Sequence, residues 1–162
     1  MESDTLLREQ LRRLLESDNA HMTLDEAVAH FPREHINTKP PHVPYTPWHL
    51  LEHLRITQWD ILEFIRDPQY VSPKWPEGYW PTEDTQADET IWEQTLSSFR
   101  SDLHALQQMA TDPTINLYAP IPHGNGQTIL GEILLVADHN AYHTGEFAIL
   151  RQVMETWRDR EQ

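Results

Sequence analysis

The chain has no cysteine. That excludes disulfides, thiolate nucleophiles and Cys-ligated zinc. Any metal must then be held by histidine and carboxylate, and any thiol chemistry needs a thiol brought in by a small molecule. Lysine is nearly absent as well. Only Lys39 and Lys74 occur, and 12 basic residues stand against 26 acidic ones, for a formal charge of −14. A surface of that sign repels phosphate backbones and anionic headgroups, so neither nucleic acid nor a membrane is expected as a partner. No apolar run reaches the roughly 18 residues that a membrane-spanning helix needs. The opening MESDTLLREQL is polar and charged, unlike the apolar core of a signal peptide, which makes the cytoplasm the expected setting. GxSxG is missing too, so with no Cys nucleophile the usual covalent-hydrolase patterns are absent.

Glycine is scarce at 5 residues, while the 12 prolines cluster and leave long proline-free stretches that read as helices. No apolar/polar alternation of strand type interrupts them. At 162 residues, 38% of them apolar, the chain is expected to form one domain spanning 1–162 around a single core. The first helix is predicted over Ser3 to Glu16, capped by Ser3 or Asp4, with Leu6, Leu7, Leu11, Leu14 and Leu15 as its apolar stripe and a break at Ser17-Asp18-Asn19. Thr23 and Glu26 have capping-box spacing for a short helix to about Phe31. The second long helix starts at Thr46 as cap with Pro47 in its first turn, and ends near Asp67-Pro68. Residues 68–84, PQYVSPKWPEGYWPTED, are too rich in proline for helix and too aromatic for a loose linker. An ordered loop with partly buried rings is expected. The third long helix covers about 85–110, and the last about 128–156, capped by Thr128 after the turn GNGQT. Four long helices with polar outer faces predict an all-α four-helix bundle. Each connection is long enough to cross the bundle, so parallel neighbours are allowed.

Ten histidines remain to be placed. His139 and His143 lie four apart on the last helix, one turn from each other on one face. His49 and His53 repeat the spacing on the second long helix. Chance gives fewer than one such pair for ten histidines in 162 positions. Bundle metal sites use side chains on facing helices. His53, beside Leu50 and Leu54, is the natural third ligand. His49 is its rival but stands in the first turn, where exposure to solvent is expected. Both pairs are equally consistent with histidines that serve packing and capping. His123, in the loop PIPHGNG, could line a site or be solvated. Asp60, two turns after His53, could accept the other ring proton of a ligand, and Glu146 stands three after His143. His21, His30, His35, His42 and His104 have no partner at ligand spacing. Gly145, inside the last helix, costs propensity, and close backbone approach beside a site would explain it.

TPWHLLEHLRITQWDI around His53 and GQTILGEILLVADHNAYHTGEF around His139 and His143, with WPEGYWP and PIPHGNGQT between them, resemble the DinB-like (DinB/YfiT) superfamily, in its DinB_2 branch. The order and spacing of these stretches carry the resemblance over nearly the whole chain from about Ala20. It implies an up-down-down-up four-helix bundle with long crossover connections. It also implies a divalent metal, zinc or nickel, held by His53, His139 and His143, and a homodimer. Characterised members use low-molecular-weight thiols of the mycothiol and bacillithiol type as S-transferases or isomerases, and others carry only the label of metal-dependent hydrolase.

Three neutral imidazoles leave such an ion its full charge and an open position for a small-molecule substrate, water or thiol. A heavily anionic thiol would need arginines near the site, and Arg55 and Arg151 lie on the helices concerned. A non-catalytic metal-binding or stress-response bundle is the other implied class. There, a side chain such as His49 or Glu146 would block the open position. A bundle without metal is the third.

Overall fold

Caps and prolines decide where the helices begin. Thr46 accepts a hydrogen bond from the His49 amide, and Pro47 occupies the first turn, where no amide donor is needed. Asp88 and Thr128 cap in the same way, accepting from the amides of Ile91 and Gly131. The structure, a computed structural model, describes residues 2–16 and 20–157. Its helices are α1 (Glu2–Glu16), α2 (Leu24–Val28), α3 (Pro47–Arg66), α4 (Glu89–Thr111) and α5 (Ile129–Val153), with single 3-10 turns at Arg33–His35 and Glu77–Tyr79. No strand occurs among the described residues. The protein is all-α.

Several boundaries differ from the sequence reading. Ser3 and Asp4 lie inside α1 rather than before it, and Asp4 accepts from the Arg8 guanidinium. The predicted break at residues 17–19 lies outside the described residues. Of the predicted leucine stripe on α1 only Leu11 and Leu15 are buried, while Leu6 and Leu14 face solvent. The capping box at Thr23 and Glu26 is present, but α2 stops at Val28, since His30 takes a positive φ that a helix cannot accommodate.

α1 and α3 each pack against both α4 and α5. Along α3 and α4 the cross-helix pairs advance together: Glu52 meets Thr95, and Gln58 meets the carbonyl of Phe99. Along α3 and α5 they run in opposite senses: His53 meets His143, and Gln58 meets Asn140. Two apolar clusters fill the space between the helices. One gathers Leu50, Leu54, Trp92, Phe99 and Phe147. The other gathers Leu11, Leu15, Leu62, Leu106 and Ile133. His53 lies on α3 among the residues that feed the first cluster, two turns before Ile61 and Leu62, which feed the second. The loop 68–84 is folded onto the bundle through Tyr79 and Trp80, which are partly covered, while Trp75 stays exposed.

Candidate metal centre

The four-residue spacing on α5 puts His139 and His143 one turn apart, and the antiparallel contact with α3 brings His53 opposite them. Nε2 of His53 lies 3.2 Å from Nε2 of His143 and 3.2 Å from Nε2 of His139. Among the described residues this is the one group of three histidine or carboxylate side chains whose ligand atoms all lie within 4.8 Å of one another. The resemblance placed ligands at these same three positions.

The remaining ring nitrogens show what the cluster is suited to hold. His53 Nδ1 is 2.8 Å from the carbonyl of Tyr79. A carbonyl only accepts, so Nδ1 carries the proton and Nε2 presents a lone pair. His143 Nδ1 is 2.5 Å from a carboxylate oxygen of Glu146, which fixes the same tautomer there. Two ring nitrogens therefore face each other across 3.2 Å, an arrangement that a shared cation makes favourable. Nitrogens bound at about 2.0–2.1 Å to a tetrahedral ion lie about 3.3 Å apart, so the observed separations suit a divalent metal. His139 contributes a third nitrogen, and its own Nδ1 is buried without a partner. The residues present fit a metal ion held by three imidazoles.

Burial keeps the rings of His139 and His53 neutral, as ligands must be. Burial pushes His139 down to about 3, helped by the neighbouring rings of His143 and His53. Burial also lowers His53, against the opposing pull of the Tyr79 carbonyl.

Behind the rings stands a layer that the sequence reading located only in part. Glu146 accepts from His143 on one oxygen and from the Tyr45 hydroxyl on the other. Trp80 stacks flat on His53, with centroids 3.9 Å apart and planes 4° from parallel, and Tyr45 stacks on Trp80 in turn. Tyr45 was not anticipated. It lies 101 residues from Glu146, and no local pattern marks it.

Other expectations need correction. Asp60 does not receive a proton from a ligand ring. Its Oδ2 accepts from the Tyr79 hydroxyl at 2.7 Å, so it reaches His53 only through the residue whose carbonyl holds that ring. His49 is not solvated at its helix start but 3% exposed, because the segment before α4 covers it and the Thr85 carbonyl accepts from its Nε2. His123 stands apart from the cluster, donating to the Phe64 carbonyl at 2.6 Å. Arg55 is paired with Glu52. Arg151 is buried and donates to the carbonyls of Ala27, Ala29 and Thr156. Neither arginine faces the site. Gly145 has nothing within 4 Å of where a Cβ would stand, so close approach does not explain it.

The three histidines open onto a cleft of about 460 Å³. Trp75, Tyr79 and Trp80 from the loop form one wall, Leu135 and Ile61 add apolar surface, and Thr57 and Asp60 supply oxygens. No lysine or arginine among the described residues lines it. The loop is ordered with partly buried rings, as expected for residues 68–84, whereas His123 takes no part in the cleft. Larger clefts lie elsewhere, for example beside Phe31, Arg33 and Trp157, but none holds a comparable donor set.

The chain belongs to the DinB superfamily, whose sequence model matches residues 16–147. No curated protein and no solved structure matches it.

Proposed function

Taking DinB superfamily membership as the premise, we propose that this chain is a divalent-metal-dependent enzyme acting on a small molecule. The observation that carries the reading is the convergence of His53, His139 and His143 at the edge of a cleft, with no further histidine or carboxylate among the described residues in ligand position. The two side chains that could have blocked a fourth position are engaged elsewhere, His49 with Thr85 and Glu146 with His143 and Tyr45. That supports catalysis over storage or a purely structural role.

His53, His139 and His143 would hold the ion, and the Tyr79 carbonyl and Glu146 would hold two of the rings in the ligating tautomer. When bound, a divalent cation supplies a Lewis acid that lowers the pKa of a water or thiol reaching it. The aromatic wall excludes bulk water from one side of that position and offers flat surface to a substrate. Between the two reaction types, a cleft without lysine or arginine suits hydrolysis of an uncharged or cationic molecule better than use of a heavily anionic thiol.

The test is metal content by mass spectrometry on untagged protein, beside His53→Ala and His143→Ala, with circular dichroism to verify helix content. Near-stoichiometric metal in the parent, lost in both folded variants, is the expected result. A parent that stays metal-free after incubation with zinc and with nickel would overturn the enzyme reading together with the site.

A further inference from the structure

Thr57 and Asp60 continue the face of α3 that carries His53, four and seven residues further on. Both line the cleft, so it runs from the three histidines along about 10 Å of helix rise to an acidic end. Asp60 is 7% exposed. Its Oδ2 is held by Tyr79, while Oδ1 and the buried Thr57 hydroxyl have no partner. Beyond it, Glu132 on α5 is also buried, and burial together with the Asp60 charge raises its pKa. The Tyr70 hydroxyl stands beside Asp60, and burial together with the Asp60 charge keeps it protonated, so it brings no counter-charge.

This end of the cleft therefore carries negative charge in a poorly solvated place, with no cationic side chain along the lining to offset it. A buried carboxylate without a counter-charge is unfavourable unless something supplies one. Three aromatic rings flank the approach, Trp75, Tyr79 and Trp80, and the faces of such rings attract cations. The wider charge of −14 would draw cations in and keep anions out.

The geometry points to a substrate that carries a positively charged nitrogen, an ammonium group bound between Asp60, Thr57 and the rings of Trp75 and Tyr79, about 10 Å from the group that meets the three histidines. This rests on the metal-centre reading for the reacting end, but the ammonium end does not use the metal. Asp60 is then the residue that sets substrate charge, and the loop 68–84 supplies the aromatic half of the pocket.

The experiment titrates three probes of matched shape, 2-phenylethylammonium, 2-phenylethanol and 3-phenylpropionate, into zinc-loaded and metal-free protein, following tryptophan fluorescence and calorimetry. Zinc content of the same samples reports separately on the metal centre. The ammonium is expected to bind at least tenfold more tightly than the alcohol or the carboxylate, with or without zinc. Asp60→Asn, which keeps an acceptor for the Tyr79 hydroxyl, is expected to erase that preference. Trp75→Ala removes a ring that is 70% exposed, so the core stays intact, and is expected to weaken the ammonium several-fold. Equal affinity for the three probes, preference for the carboxylate, no ammonium binding, or unchanged ammonium affinity in either folded variant would overturn the inference.

Discussion

Glu146 does two things with one carboxylate. It accepts the Nδ1 proton of His143 and the hydroxyl proton of Tyr45, so the ring it orients is tied to the segment before α3 as well as to its own helix. Partners of this kind typically change metal affinity by about 10- to 100-fold when removed. Glu146→Gln keeps an acceptor but loses the charge that makes His143 a stronger donor to the metal. We expect it to weaken zinc binding by about tenfold, and Glu146→Ala to approach a hundredfold, in a competition titration against a chelator. Affinity within twofold of the parent would show that His143 needs no such support. The two α5 histidines and Glu146 were legible in the sequence because helical spacing alone sets them on one side of one helix. Tyr45 and the Tyr79 carbonyl were not. One comes from a loop distant in sequence, and the other is a backbone atom that no residue type advertises.

The helices were legible where local chemistry controls them. Thr46 and Pro47 mark the start of α3, and Thr128 the start of α5, because capping is decided within four residues. The end of α4 was read to within a residue, but the end of α2 was less legible, and the free carbonyls at both ends are taken by arginines from other helices. Arg151 of α5 serves Ala27 and Ala29 after α2, and Arg8 of α1 serves Ala110 and Asp112 at the end of α4. The charge of Arg151 suggested ligand binding, and only packing shows that it satisfies backbone instead, as Arg8 does. Gly145 was misread in the opposite direction. In α5 it is exposed, and an added Cβ would stand in open space. Gly145→Ala should therefore stabilise the protein by about 1 kcal/mol through helix propensity alone, raising Tm by about 2–4 °C for a chain of this size. Zinc content should not change. A lower Tm would mean that this face of α5 is covered by something that a methyl group disturbs.

At the scale of the molecule, the candidate site joins two helices, α3 and α5, that are separated in sequence by a 22-residue connection, α4 and a further loop. The connections are long enough for several arrangements, so the four-helix composition was legible while the pairing of α3 with α5 rested on family resemblance. A cation shared by His53, His139 and His143 acts as a cross-link of exactly the native pairing and of no unfolded arrangement. It should stabilise by mass action: at a free zinc concentration of 100 times Kd the gain is about 2.7 kcal/mol, or about 5–10 °C in Tm. Each further tenfold in zinc should add about 1.4 kcal/mol until weak sites fill. The measurement is a thermal unfolding series over increasing zinc, with the chelated protein as zero. Because His53 supplies the only α3 nitrogen in the cluster, His53→Ala should lose nearly all of the shift while retaining two ligands on α5. A shift that survives His53→Ala would assign the stabilisation to the α5 pair alone, and the two helices would then be held by their apolar contacts without help from a metal.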